Sequence, residues 1–265
     1  MIEQTRVKGI YVPSSKGLAK GLAELTMSQA EPISLRDYAQ SSMKTENFWY
    51  LPGGIVREGI VIIPGKKTLL IRDTPLLDPR IAEQYEREFL DRKSAIEAEI
   101  NSAYPQGKSM SSEEFKRKTK LRYSADIFAF PIDPAPYLWI ALQDKDKKPE
   151  QRRVLDVDYS QLGNKSGYEG IRFMPFTELS KEEIFRWAFR DIALDWAKYL
   201  YNGFGSGREE KDYCVLIGGP DIKEIYGDVP FVAPFWYSAC EKGEFGFKTG
   251  EKVHRSKWLA KRKGE

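Results

Sequence analysis

The chain has 265 residues and a mass of 30.5 kDa, and 41% of its residues are hydrophobic, which is enough to bury a substantial core. Charged residues make up 31% and the formal net charge is +3, so the composition excludes a disordered chain. The longest apolar runs are too short to span a bilayer, and the two cysteines, Cys214 and Cys240, lack metal-site spacing. We therefore expect a cytoplasmic protein that makes no membrane contact.

The first 77 residues predict a region that contains β-structure. Apolar spacing within residues 17–25 predicts a helix, for which Ser14 or Ser15 offers an N-cap. A second, short helix is expected at residues 34–40. Two β-branched runs separated by a Pro-Gly turn predict a hairpin over residues 55–73.

Residues 78–125 have a different pattern, which predicts a helical hairpin inserted between two regions that contain strands. A break at residues 104–109 separates its two helices, and Ser111 with Glu114 has the spacing of a capping box at the start of the second. Apolar residues recur at near-helical spacing in the first helix, with charged residues between them. These apolar residues are Ile81, Tyr85, Phe89, Ile96 and Ile100.

Residues 126–265 predict a C-terminal α+β region. The aromatic, proline-rich stretch at residues 124–143 is interpreted as two strands. A capping box at Ser180 and Glu183 opens an amphipathic helix over residues 181–201. The predicted fold class is therefore α+β, a mixed sheet body with a long amphipathic helix and an inserted helical hairpin.

The positive charge is concentrated at the C-terminal end. Residues 251–265 contain six Lys or Arg and two Glu, a net charge of +4, so the remaining chain carries −1. This pattern predicts a basic tail, which favours polyanionic partners. A solvated terminus that improves solubility is the alternative interpretation.

Several catalytic designs are excluded by their missing motifs. The chain has one histidine, His254, so a site with several histidine ligands cannot form, and a Ser–His–Asp triad would need that residue. Neither a Walker-type phosphate loop nor a dinucleotide-binding glycine motif after a strand is present. Nucleotide-dependent chemistry of these two designs is therefore not expected.

A glycine-rich stretch follows the predicted long helix. Gly203 is suited to a left-handed helix C-cap. Gly205 and Gly207 would let backbone N–H groups approach phosphate oxygens, and Arg208 would add a charged contact. A helix end with a flexible loop and a ligand-gripping loop both fit this stretch.

Asp156 and Asp158 are the best pair of carboxylates. On a strand, side chains two residues apart point to the same face, so this pair could hold Mg²⁺ for metal-assisted phosphodiester cleavage. An exposed strand face with both carboxylates in water is the alternative.

Two basic segments contain aromatic residues and predict contacts with phosphates and bases. The alternative is that the aromatic residues are core anchors and the cations are solvated. The first segment supplies Lys116, Arg117, Lys120 and Tyr123, and the second supplies Lys257, Trp258, Lys261, Arg262 and Lys263.

These patterns together predict a nucleic-acid-binding protein of prokaryotic type, with DNA and RNA both open as partners. If the protein is an enzyme, we expect metal-dependent phosphodiester cleavage that uses Asp156 and Asp158. One alternative is a small-molecule enzyme with an aromatic-lined pocket and carboxylate acid–base residues, for which residues 47–54 and 233–239 supply rings. Another is a protein–protein adaptor that docks through the hairpin at 78–125.

Overall fold

The chain contains both helices and antiparallel sheets, so the expected α+β class is confirmed at this level. The structure is a computed structural model. The residues that it describes are 1–44, 54–63, 68–88, 90–91, 130–157, 172–174, 183, 186–187, 213–215, 231–237, 248–249 and 257–264.

Sheet A joins the two ends of the chain. Its four strands lie in the order β1-β2-β12-β3, and all neighbours are antiparallel. Their bounds are Ile2–Gln4 for β1, Tyr11–Pro13 for β2, Ala30–Pro32 for β3 and Ala260–Arg262 for β12. Because β12 lies between β2 and β3, residues near the C-terminus complete a sheet that the N-terminal residues begin.

Sheet B is the larger sheet and contains the predicted hairpin. Five strands lie in the order β11-β10-β4-β5-β7, and β6 also pairs with β10. The hairpin predicted at 55–73 forms as β4 and β5, with Ile60 opposite Leu70. The strand bounds are Gly54–Ile62 for β4, Thr68–Ile71 for β5, Phe130–Pro131 for β6, Val154–Val157 for β7, Phe231–Tyr237 for β10 and Lys248–Thr249 for β11.

A third sheet and three helices complete the elements with described bounds. The third sheet pairs β8, Arg172–Met174, with β9, Tyr213–Val215. The helices are α1, Leu18–Met27, α2, Leu35–Met43, and α3, Ala135–Asp144. Residues 79–88 are also helical, and short 3-10 turns occupy Pro75–Leu77 and Pro149–Gln151.

The predicted helix α1 forms, but its cap differs from the prediction. Leu18, Leu22 and Leu25 recur on one side of α1 and are buried in the core. The backbone N–H groups of Leu18 and Ala19 donate to the carboxylate of Glu86, which comes from the helical residues 79–88. A distant carboxylate therefore supplies the cap at the positive end of the helix.

Ser14 and Ser15 take a different role from the predicted N-cap. Both donate to the carboxylate of Glu24 through their backbone N–H groups and their hydroxyls. The two serines therefore fasten the segment after β2 to the outer side of α1, and the sequence prediction of their capping role is wrong.

Helix α2 begins as its sequence predicts. Ser34 is the N-cap, and its hydroxyl accepts a hydrogen bond of 3.1 Å from the backbone N–H of Asp37. The N–H of Leu35 donates to Glu58, a buried carboxyl on β4, at 2.9 Å. Burial raises the pKa of Glu58 to about 7.

Residues 124–143, interpreted as two strands, differ from that interpretation where they are described. Only Phe130–Pro131 is a strand, whereas Ala135–Asp144 is α3. Asp133 accepts from the N–H of Ala135 at 3.0 Å, and proline occupies the first turn, where its missing N–H costs nothing. These start signals outweigh the β-branched and aromatic content of the segment.

The other two helical predictions lie largely outside the described residues. Of the hairpin predicted at 78–125, only 78–88 and 90–91 are described. Of the helix predicted at 181–201, only residues 183, 186 and 187 are described, and they are helical. In the described part of the chain, every helix is too short or too polar to cross a membrane.

Candidate ligand-binding loop

The predicted basic tail is in part a core strand. Trp258 is fully buried, and its indole N–H donates to the carbonyl oxygen of Leu18 at 2.9 Å. It also forms a parallel bridge with Ile55 of β4. The prediction that Trp258 stacks on a nucleic-acid base is therefore wrong, because its ring is fully buried against α1.

Two of the predicted phosphate-binding cations already have partners in the folded chain. The ammonium of Lys261 lies 2.7 Å from the carboxylate of Asp37, and the Arg262 guanidinium lies over the ring of Tyr11 at 5.1 Å. Lys257 is half-buried and Lys263 is exposed. Lys261 and Arg262 thus belong to β12, an inner strand of sheet A, instead of a separate tail.

The remaining predicted site residues are mostly outside the described residues. Asp158 lies outside the described residues, whereas Asp156 lies exposed on β7. The catalytic and Mg²⁺-binding roles of this pair stay predictions. Among the described residues, no group of three or more His, Cys, Asp or Glu is arranged to hold a metal ion. Also outside the described residues are Lys116, Arg117, Lys120, Tyr123, Gly205, Gly207 and Arg208.

A loop at residues 145–153 connects α3 to β7 and is the best-defined candidate for a binding surface. Its first anchor is Asp144, the last residue of α3, which has no solvent exposure. One carboxylate oxygen of Asp144 accepts from the backbone N–H groups of Arg153 at 2.5 Å and Val154 at 3.1 Å. The other lies 2.5 Å from the ammonium of Lys147. Both ends of the loop are therefore fixed to one side chain.

These hydrogen bonds determine the charge state of Asp144. Burial by itself raises the pKa of this carboxyl. The hydrogen bonds from Lys147, Arg153 and Val154 outweigh that effect and hold the pKa below its ordinary value. Asp144 is therefore ionised at neutral pH, which strengthens its bonds to the loop.

The second anchor is Arg152, which bonds across the loop to backbone carbonyl groups. Its guanidinium donates to the carbonyl oxygen of Lys147 at 3.1 Å and to that of Lys145 at 3.4 Å. It also pairs with the carboxylate of Glu183. The loop is thereby closed on itself and joined to a helical residue outside it.

The third anchor is Arg72, which follows β5. Its guanidinium donates to the carbonyl oxygens of Arg152 at 2.5 Å and Glu150 at 2.6 Å, and it lies 4.7 Å from the centre of the Trp187 ring. The buried Trp187 donates its indole N–H to the same Arg152 carbonyl at 3.2 Å. Arg72, at the end of β5 in sheet B, and the helical residue Trp187 thus both bind backbone carbonyl groups of the loop.

Apart from Lys147, which pairs with Asp144, six side chains of the loop are exposed although its backbone is fixed. They carry both signs of charge and several hydrogen-bonding groups, which suits them to contact a polar ligand surface. These residues are Lys145, Asp146, Lys148, Glu150, Gln151 and Arg153. Nothing local in the sequence shows that Asp144 is buried or that a distant arginine binds the loop, so the sequence did not identify this site.

Comparison with known proteins identifies the fold of the chain. No protein-family model matches the chain, and no curated protein matches it significantly. A solved structure from Nanoarchaeota, described as accommodating massive sequence variation by the C-type lectin fold, is similar at a TM-score of 0.50. The sequences are 12% identical, and the similarity covers 98% of this chain and 99% of that one. The chain has a C-type lectin fold.

This fold corrects the predicted function. The sequence patterns predicted a nucleic-acid-binding or phosphodiester-cleaving protein, and the similarity to a C-type lectin fold contradicts that prediction. The burial of Trp258 and the ion pair of Lys261 with Asp37 supply the physical reason at the C-terminal end. The basic, aromatic sequence there instead forms part of the core and an inner strand of sheet A.

Proposed function

We propose that this chain is a ligand-binding protein of the C-type lectin fold, in which a constant framework holds surface loops that contact a protein ligand and tolerate sequence variation. The similar structure from Nanoarchaeota supports this proposal, because the same fold is described there as accommodating massive sequence variation. Here the framework is the buried core together with sheets A and B. Within the described residues, we assign recognition to the loop at 145–153.

One observation carries the proposal: the side chains of Arg72 and Arg152 bind the loop through backbone carbonyl oxygens. The accepting carbonyls belong to residues 145, 147, 150 and 152. A carbonyl oxygen is present whatever side chain the position carries. The loop conformation therefore depends on the framework residues Asp144, Arg72 and Arg152 and leaves the exposed side chains free to vary.

The free energy of unfolding should depend on the residues that fix the loop, and ligand recognition should depend on its exposed side chains. Substitution of an exposed loop side chain is expected to change the free energy of unfolding by at most about 0.5 kcal/mol. Removal of the Asp144 carboxylate would leave the N–H groups of Arg153 and Val154 without acceptors, at a cost of about 1–3 kcal/mol. Rigid support beneath variable side chains is the usual arrangement of recognition loops.

The proposal is tested with two displayed libraries of the full chain. The loop library randomises Lys145, Asp146, Lys148, Glu150, Gln151 and Arg153, and the control library randomises the exposed α1 positions Lys20, Ala23 and Met27. Both libraries are selected against the same panel of immobilised proteins. We expect binders from the loop library at a clear excess over the control, and most loop variants keep the parental thermal midpoint.

Single substitutions provide the matched structural comparison. Lys148→Ala is expected to leave the thermal midpoint unchanged, whereas Asp144→Ala lowers it by several degrees. Frequent unfolding within the loop library, or equal yields of binders from the two libraries, would contradict the proposal.

Three finer predictions from the sequence remain proposals with their original support. Apolar spacing and a capping box support the helical hairpin at 78–125 and the long amphipathic helix at 181–201. A cytoplasmic location is supported by the two cysteines without disulfide-framework spacing.

A further inference from the structure

Glu58 is a buried acidic residue that lies beside the arginine holding the loop at 145–153. It belongs to β4 and is 6% exposed. The pairing of β4 with β5 sets Gly59 opposite Ile71, so one further step along both strands sets Glu58 opposite Arg72. Opposite residues of antiparallel strands project from the same face of a sheet. Glu58 and Arg72 therefore share one face of sheet B.

Each of these two side chains binds the backbone of a different segment. The carboxylate of Glu58 accepts from the N–H of Leu35, the first residue of α2, at 2.9 Å. The guanidinium of Arg72 donates to the carbonyl oxygens of Glu150 and Arg152 in the loop. The pair thus lies between the start of α2 and the loop.

The positive charge of Arg72 acts on the carboxyl group of Glu58. Burial raises the pKa of Glu58 to about 7, and the charge of Arg72 acts against this rise. The carboxyl group is therefore close to half ionised at neutral pH. Its ionised form is the one that Arg72 attracts.

The other charged side chains on the described elements packed against β4 are paired with one another. Asp37 acts on Glu58 in the direction opposite to Arg72, but its ion pair with Lys261 offsets its charge. Strand β10 adds no such group, because Phe231–Tyr237 contains no Asp, Glu, His, Lys or Arg. The paired groups are Asp37 of α2 and Glu31 of β3, both with Lys261 of β12, and Arg57 of β4 with Asp73.

We propose that the charge state of Glu58 regulates the loop at 145–153 through Arg72, and that the loop is held more firmly when Glu58 is ionised. Arg72 acts on Glu58 from the position in which it binds the loop. Release of the loop would let the guanidinium move into water, where its attraction for Glu58 is weaker. By linkage, an interaction that favours the carboxylate while the loop is held favours the held loop equally once the carboxylate has formed.

The expected pH dependence of the loop is opposite to that of the whole fold. The fold loses stability as the pH rises through 7, because burial disfavours the charge of Glu58. Loop opening should become rarer over the same range. A ligand that binds only the held loop would then lose less affinity to loop opening at high pH. This last consequence rests on the proposed function, whereas the coupling between Glu58 and the loop does not.

Amide hydrogen exchange of the full chain, without ligand, measures how often the loop opens. The N–H groups of Gln151 and Arg152 donate within the loop and report on it. Comparing the wild type with Glu58→Gln at the same pH cancels the intrinsic pH dependence of exchange. At pH 8.5 we expect about fivefold slower exchange in the wild type, the lower end of typical coupling between sites. At pH 5.5, where Glu58 is mostly neutral, the two proteins should exchange at similar rates.

Arg72→Met tests whether the effect passes through the arginine. It keeps a long side chain and removes the charge, so adding Glu58→Gln to it should no longer change the exchange of the loop. The N–H of Ser28, at the end of α1, is the internal control and should not be slower in the wild type. Thermal unfolding verifies that each variant is folded.

Three results would overturn the proposal. They are equal loop exchange in the wild type and Glu58→Gln at pH 8.5, faster exchange in the wild type at that pH, and a difference that persists in Arg72→Met. If the loop library yields no binders, the proposed function fails, but the exchange experiment still decides this inference.

Discussion

Trp258 donates its indole N–H to the carbonyl oxygen of Leu18, at 2.9 Å, and so joins the segment just before β12 to the first turn of α1 across 240 residues. The Trp258 ring also lies against Gly21, where an added Cβ would approach it to 3.0 Å. Because the adjoining strand β12 separates β2 from β3, this residue and its strand hold both chain ends in one framework.

Trp258→Ala is expected to lower the free energy of unfolding by about 3–5 kcal/mol, since it removes a fully buried ring and a hydrogen bond. Trp258→Phe should cost less, because most of the packing remains. Denaturant titration of the purified variants measures both values. Lys263→Ala, at an exposed position beside β12, is the control and should lie within about 0.5 kcal/mol of the wild type.

Gly54→Ala tests how closely β4 approaches the C-terminal segment. A Cβ at Gly54 would lie 2.7 Å from Leu259 Cγ and 2.8 Å from the carbonyl oxygen of Lys257, so part of the backbone must move. We expect a loss of about 1–3 kcal/mol in the free energy of unfolding. Gly264→Ala meets no atom within 4 Å and should have a smaller effect, which arises from its positive φ alone. Equal losses in the two variants would argue against the close approach.

Glu58 should make the chain less stable as the pH rises. Burial raises the pKa of its carboxyl from the ordinary 4.5 to about 7 in the folded chain. The folded state then binds a proton that the unfolded state releases, so the contribution is full below pH 4.5 and is lost as the pH rises through 7. This pKa shift corresponds to a loss of about 3 kcal/mol in the free energy of unfolding between low pH and pH well above 7.

Glu58→Gln is the variant that measures this effect. The amide is neutral at all pH values, and its oxygen can still accept from the N–H of Leu35. Denaturant titrations from pH 4.5 to 8.5 should show a flatter pH dependence than for the wild type. If the two proteins lose stability in parallel across this range, Glu58 does not titrate as we infer.

Glu24 should have the opposite pH dependence. Hydrogen bonds from Ser15, and then from Ser14, lower the pKa of this carboxyl from 4.5 to about 2. Its contribution to stability is therefore full above pH 4.5 and is lost as the pH falls through 2. Glu24→Gln should be less stable than the wild type at pH 7, and the difference should disappear near pH 2. Glu83→Gln, at an exposed position, is the control and should lie within about 0.5 kcal/mol of the wild type at pH 7.

Elements with local signals were predictable, and those that depend on distant partners were not. The hairpin of β4 and β5 was predicted from two β-branched runs and a Pro-Gly turn, and α2 forms where a short helix was expected at residues 34–40. The cap of α1 was mispredicted because its acceptor, Glu86, is 68 residues away from Leu18. The candidate loop was missed for the same reason, since Arg72 lies far from it in the chain.

Local sequence patterns were enough to predict the mixed α+β class, the hairpin of sheet B and the two N-terminal helices, because each depends on neighbouring residues. The folded chain was needed to show that Trp258 is a core residue, that Asp144 and Arg72 fix a loop, and that α3 leaves Trp139 exposed. A sequence pattern shows which residues are apolar or charged. Burial and pairing, in contrast, depend on which distant segments the folded chain brings against them.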